Sequence, residues 1–313
     1  MTRAFVFPGQ GSQAVGMGRD LAQAFPAARH VFQEVDEALG QALSRLMFEG
    51  PDDQLTLTEN AQPALMSVSL AVVRVLETEG GLDLGKAGAF VAGHSLGEYS
   101  ALAAAKTFSL SDTARLLKLR GQAMQKAVPV GIGAMAALLG ADLDQAVEIA
   151  AEAQQGEVCA AANDNAPGQV VVSGHKGAVD RAIAIAAERG IKRAILLPVS
   201  APFHCSLMQP AADVMATALA GVSMSIPGPA LVANVTASNV SDPATIRDLL
   251  VAQVTGTVRW RESILFMKEQ GVDSVVELGA GKVLSGLVKR IDKEMTGQSI
   301  GSPADIEAFL KSL

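Results

Sequence analysis

Val91-Ala92-Gly93-His94-Ser95-Leu96-Gly97-Glu98-Tyr99 is the stretch from which the rest of the chain is read. An apolar run at 87–92 leads into Gly93-His94-Ser95-Leu96-Gly97, and residues 98–105 after it are mostly helix formers. Strand, sharp turn, helix is the setting a G-x-S-x-G nucleophile elbow requires. Gly93 and Gly97 carry no Cβ, so the backbone can turn tightly and the helix can lie close to the strand. Ser95 then stands at the tip, its hydroxyl above a sheet and its backbone near the positive end of a helix. The five residues alone also describe an ordinary turn with a capping serine. The flanking strand and helix favour the nucleophile.

The bulk properties suit that setting. The 313 residues are enough for one large domain or two ordinary ones. Apolar residues make up 49% and charged residues 18%, but aromatics only 4%, so Ala, Val, Leu and Gly fill the interior. Such side chains suit an α/β protein with close helix–sheet packing. A net charge of −7 argues against general nucleic-acid binding. The apolar start at 1–7 is too short for a signal peptide, and no stretch reaches transmembrane length, so no membrane association is expected. Cys159 and Cys205 lie far apart and outside any metal-binding spacing, which fits a reducing cytoplasm and predicts no metal site.

Outward from the elbow, residues 3–7 read as a buried strand. The loop after it, Pro8-Gly9-Gln10-Gly11-Ser12-Gln13, is either a plain turn or a ligand-facing loop. Helical patterns follow at 17–39 and 58–79, the second with Ala64, Leu65, Val68, Ala71, Val72 and Val75 at helical spacing. Ser109 opens a further helix to about 127, on which Arg120 shares a face with Leu116, Leu117 and Met124. A guanidinium on an apolar stripe is costly unless paired. It either snorkels or meets a structural carboxylate, or it binds a ligand.

From about 130 the pattern changes. Strands at 133–139, 158–162, 169–173 and 194–199, with helices at 143–154 and 178–189, give the order β-α-β-β-α-β of a ferredoxin-like unit. A turn is expected at 163–168. We read 129–198 as a small subdomain inserted into a larger α/β domain of 1–128 and 199–313, with Pro129 and Pro198 at the joins. The large domain resumes with helices at 207–219, 242–254, 261–270 and 283–291 and strands at 231–235 and 274–278. A last helix starts at Ser302-Pro303.

A serine hydroxyl needs a base. Of four histidines, His30 falls within an amphipathic helix, His175 at a helix start, and His94 beside Ser95, where neighbouring side chains point apart. His204 lies in a loop after a strand and follows the serine in sequence, which makes it the expected base. A third group to orient it is not singled out: Asp213, Asp242 or a backbone carbonyl would serve.

Phe7-Pro8-Gly9-Gln10-Gly11-Ser12-Gln13, Gly93 to Tyr99, Arg120, Pro202-Phe203-His204, Asn165 to Val171 and Glu277 to Leu284 together resemble the malonyl-CoA:acyl-carrier-protein transacylase family of bacterial type II fatty-acid synthesis. The resemblance spans nearly the whole chain. It implies an α/β-hydrolase-like core with a parallel sheet plus an inserted ferredoxin-like subdomain. It implies Ser95 as the acylated nucleophile, His204 as its base, and Arg120 as holder of the malonyl carboxylate. Backbone N–H groups of Gln10 and Leu96 would form the oxyanion hole, and the main-chain carbonyl of Gln253 would steer the histidine. Asn163 would stand at the rim of the acyl pocket. Phe203, where the family often has serine, resembles malonyl-selective domains. The implied substrates are malonyl-CoA and acyl carrier protein, with no cofactor.

An acidic carrier would need a basic patch on this acidic chain. Lys282, Lys289, Arg290 and Lys293 form one candidate and Arg189, Lys192 and Arg193 another; either also fits a solvated helix face. The same elbow would serve a thioesterase, and the same fold a non-enzymatic acyl-CoA-binding subunit. A monomer is expected.

Overall fold

Ten strands divide between two sheets in the computed structural model, which describes residues 2–191, 193–199 and 201–312. In chain order they are β1 (Arg3–Phe7), β2 (Gly88–Gly93), β3 (Gly133–Leu139), β4 (Cys159–Ala166), β5 (Gln169–His175), β6 (Arg193–Leu196), β7 (Ala230–Val232), β8 (Asn239–Val240), β9 (Ser274–Leu278) and β10 (Thr296–Ile300). The larger sheet has the order β10-β9-β1-β2-β7-β8, parallel except for the β7–β8 pair. A parallel sheet must be covered on both faces. Accordingly β1 divides its side chains between two cores: Phe5 and Phe7 join Leu65, Val72 and Leu117 on one side, and Ala4 and Val6 join Trp260, Ile264 and Leu284 on the other. The helices Thr58–Gly80 and Leu110–Ala127 cover the first face, Trp260–Glu269 and Val283–Ile291 the second.

The smaller sheet is antiparallel with the order β4-β5-β3-β6, as the β-α-β-β-α-β pattern requires. Helices Leu143–Gln154 and Lys176–Glu188 lie on one face, over Ala136, Leu138, Val170 and Val172. The other face contributes Met135, Ala137 and Val171 to the main core. The elements of this unit run from Gly133 to Leu196.

Several expected boundaries move. The helix expected at 17–39 is two, Arg19–Ala24 and Pro26–Leu39, because Phe25 precedes a proline and is extended, with φ −127 and ψ 120. The turn expected at 163–168 is narrower, since β4 continues through two irregularities to Ala166. Those irregularities let the strand meet the large domain: Asp164 N–H donates to Val258 O and Val258 N–H to Ala162 O, both at 2.9 Å. The buried Asp164 also pairs with Arg261 at 2.8 Å. The subdomain is therefore stitched to the large domain beside Asn163. No described helix is long and apolar enough to cross a membrane.

Candidate active site

β1 and β2 end side by side, with Phe7 opposite Gly93, and the chain turns at Ser95 into the helix Gly97–Ala104. Ser95 has φ 51, a left-handed conformation that a non-glycine residue rarely holds. The flanking glycines are a matter of space: a Cβ on Gly93 would lie 1.9 Å from the carbonyl of Gly97, and one on Gly97 2.2 Å from Phe7 O. Asn234, just beyond β7, straps the turn. Its Oδ1 accepts from Ser95 N–H at 2.8 Å and its Nδ2 donates to Gly93 O at 2.7 Å. Sequence reading missed Asn234. The available signal was its place after a strand of the parallel sheet, where sites in open α/β folds form.

His204 Nε2 lies 2.8 Å from Ser95 Oγ. Its Nδ1 lies 2.9 Å from Gln253 O and 3.2 Å from Gly256 O. A carbonyl only accepts, so Nδ1 carries the proton and Nε2 presents a lone pair to the serine hydroxyl. Burial, with Arg120 nearby, pushes the His204 imidazolium down to about 3, against the pull of the two carbonyls. The ring is thus neutral near pH 7. Asp213 and Asp242 do not orient it: Asp213 is exposed and accepts from Gln209, while Asp242 caps the helix Pro243–Thr255 through Thr245.

Arg120 is buried at 1% exposure. Its Nη1 donates to Gln62 Oε1 at 2.8 Å, and its Nη2 to Gln253 Oε1 at 2.8 Å and Ser95 Oγ at 3.2 Å. It neither snorkels nor meets a structural carboxylate: among the described residues no carboxylate pairs with it. Gln253 contributes twice, since its carbonyl holds the histidine and its side chain the guanidinium. The side-chain role was invisible in the sequence, as was that of Gln62, because the partners are 133 and 58 positions away.

A cleft of about 440 Å³ lies over Ser95, between the two sheets, and Gln10, Leu96, Arg120, Asn163, Phe203 and His204 all line it. Among the described residues nothing accepts from the backbone N–H of Gln10 or Leu96. The Gln10 side chain is held by Thr58, whose hydroxyl donates to its Oε1 at 2.8 Å. His94 is engaged elsewhere, its Nε2 2.8 Å from Asn165 Oδ1. His30 is exposed and His175 accepts from Val158 N–H through Nδ1. Of the basic clusters, Arg189 is spent on Glu148 and Glu152 and Arg290 donates to Gln169, while Lys192 lies outside the described residues. No group of three or more His, Cys, Asp or Glu among the described residues is placed to hold a metal.

A serine hydroxyl beside a neutral imidazole, with two backbone N–H groups lacking an acceptor and a buried guanidinium lacking a carboxylate partner among the described residues, suits acyl transfer on an acyl group with an anionic end. The acyl transferase domain family matches residues 4–301. The chain is 46% identical over 308 residues to the malonyl CoA-acyl carrier protein transacylase of Escherichia coli K12, covering 98% of each. It superposes on the acyl-carrier-protein S-malonyltransferase of Bartonella henselae with a TM-score of 0.97 and 55% identity, covering 100% of this chain and 99% of that one. A malonyl-transacylase solved in complex with its type II polyketide-synthase acyl-carrier protein has a TM-score of 0.96 and 42% identity, with 100% of both chains covered.

Proposed function

This chain belongs to the acyl transferase family and, within it, to the malonyl CoA-acyl carrier protein transacylases; from that premise we propose how its own residues transfer malonyl from malonyl-CoA to the phosphopantetheine thiol of acyl carrier protein. The enzyme is an acyltransferase that supplies extender units for fatty-acid synthesis. Ser95 Oγ attacks the thioester carbonyl while His204 Nε2 takes its proton. The resulting oxyanion points at the N–H groups of Gln10 and Leu96, where loss of one such donor typically costs on the order of 10²–10³ in rate. The tetrahedral species collapses, the C–S bond breaks, and CoA leaves as thiol with the proton from His204. The carrier thiol then enters, gives its proton to His204 and attacks the malonyl-serine ester. Ser95 is released with its proton restored.

One observation carries the specificity: the Arg120 guanidinium sits 3.2 Å from the nucleophile, buried and, among the described residues, paired with no carboxylate. Its planar fork suits a carboxylate held by two parallel hydrogen bonds. Acetyl would leave that charge unmatched. Phe203 and Asn163, both cleft-lining and buried, bound the acyl end.

The reading calls for no cofactor, because nucleophile, base and electrophilic donors are all groups of the chain. Full activity after exhaustive chelation is the matching check. It also places the enzyme in the cytoplasm as a monomer, without nucleic acid or membrane; the two buried free cysteines support a reducing compartment. Mixing the protein with malonyl-CoA and following intact mass tests the whole reading. A malonyl adduct on Ser95, discharged by carrier-protein thiol faster than by water, is the expected result. Prompt hydrolysis would mark a thioesterase instead, and no adduct a binding subunit.

A further inference from the structure

The charge of Arg120 needs a counterpart, yet among the described residues its hydrogen bonds go to the neutral groups Gln62, Ser95 and Gln253, and its guanidinium lies 5.7 Å from the centroid of the Tyr99 ring. A buried cation is costly unless something balances it. One carboxylate lies a single amide away. Glu98, 1% exposed, occupies the first turn of the helix behind the elbow. Its Oε2 accepts from Gln253 Nε2 at 2.7 Å and from Asn234 N–H at 3.1 Å, while its Oε1 is buried with no hydrogen-bond partner among the described residues. The Gln253 side chain can stand only one way between these groups. A guanidinium only donates, so the amide oxygen faces Arg120, and the amide nitrogen faces the carboxylate.

We propose that Glu98 is a positioning residue for substrate selection, which acts through the Gln253 side chain to balance and aim Arg120 while leaving the guanidinium fork open to the acyl carboxylate. A carboxylate in direct contact would take the two parallel donors that the substrate needs. With one amide interposed, the charges are matched while Nε and one Nη1 hydrogen stay without an acceptor among the described residues. The same amide nitrogen donates to Ser95 O at 3.0 Å, so the relay is also tied to the elbow. Burial raises the Glu98 carboxyl to about 7, against the pull of Gln253, Asn234 and Arg120.

This inference rests on Arg120 as the site of the acyl carboxylate. Its test compares kcat/KM for malonyl-CoA and acetyl-CoA, with carrier protein as acceptor, in wild type, Arg120→Ala, Glu98→Gln, Gln253→Met and the Arg120→Ala, Glu98→Gln double variant. Glu98→Gln is expected to lower the malonyl/acetyl ratio about tenfold, the scale of one charge-assisted hydrogen bond. In the Arg120→Ala background the same substitution should leave the ratio where it is. Gln253→Met keeps the carbonyl that holds His204 and should lower the ratio likewise, which covers the case where circular dichroism shows Glu98→Gln unfolded. Equal losses on both donors, or an unchanged ratio in the folded variant, would overturn the assignment. If wild type itself shows no malonyl preference, the role of Arg120 falls and this inference with it. If Arg120→Ala abolishes the preference while the folded Glu98→Gln and Gln253→Met variants keep it, the role of Arg120 stands and only the Glu98 assignment is overturned.

Discussion

Ser95 Oγ and His204 Nε2 stand 2.8 Å apart across 109 positions of sequence, and both residues hold left-handed backbone conformations, with φ 51 and φ 58. Neither residue gains locally from that conformation. The surrounding structure imposes it, through Asn234 on one side and the carbonyls of Gln253 and Gly256 on the other. The pair is thus aligned before any substrate enters.

Removing the nucleophile should end covalent catalysis. Ser95→Ala is expected to give no malonyl adduct by intact mass and to lower transfer by at least about 10³-fold. Rapid-quench assays with labelled malonyl-CoA check both.

His204 should stay neutral far below the ordinary histidine range. Its pKa of about 3 lies under the ordinary 6.5, so between those values the unfolded chain binds a proton that the native site refuses. This site's contribution to stability is full above pH 6.5 and is lost as pH falls toward 3. Nitrogen-15 NMR should show no titration of the His204 ring between pH 5 and 8. His204→Gln should lose stability less steeply than wild type on acidification, followed by urea midpoints.

Arg120→Ala should lower kcat/KM for malonyl-CoA by roughly 10²-fold or more, with a much smaller effect on acetyl-CoA, since a carboxylate would lose its charged partner in a buried site. Arg120→Lys should recover part of the charge but not the two-pronged grip. Donor competition assays give the ratio directly. An unchanged malonyl-over-acetyl preference would remove Arg120 from this role.

Gly97→Ala tests the elbow's geometry. Its new Cβ would lie 2.2 Å from Phe7 O, backbone that has little room to yield. A loss of about 1–3 kcal/mol in stability is expected. Because the helix would be pushed from the strand, the N–H of Leu96 would move with it. kcat should therefore fall further than a thermal-shift change alone implies.

Asn234→Ala should cost about 1–3 kcal/mol, because it leaves the N–H of Ser95 and the carbonyl of Gly93 without their partner. Chemical denaturation measures the loss.

Local chemistry was legible where a pattern of neighbours carries it. The elbow, the helix from Ser109, the β-α-β-β-α-β unit and the strand at 274–278 all announce themselves through periodicity and turn residues within a few positions. β10 does not, because Ile300 is the one buried residue of its five and the other four, Thr296-Gly297-Gln298-Ser299, show no apolar alternation in sequence. The break at Phe25 was missed because the apolar period runs on across it.

By itself, then, the sequence determined the fold class, the order of the main elements and a nucleophile turn with one candidate base and one misplaced cation. Tertiary structure decided what those groups do together. It alone supplies the Gln253 side chain and Gln62 to Arg120, Asn234 to the elbow, and the Gly256 carbonyl for His204 beside that of Gln253, which the family resemblance had already implied. These partners come from distant strands and helices. Their hydrogen bonds depend on direction and on distances of about 3 Å, which no spacing along the chain encodes.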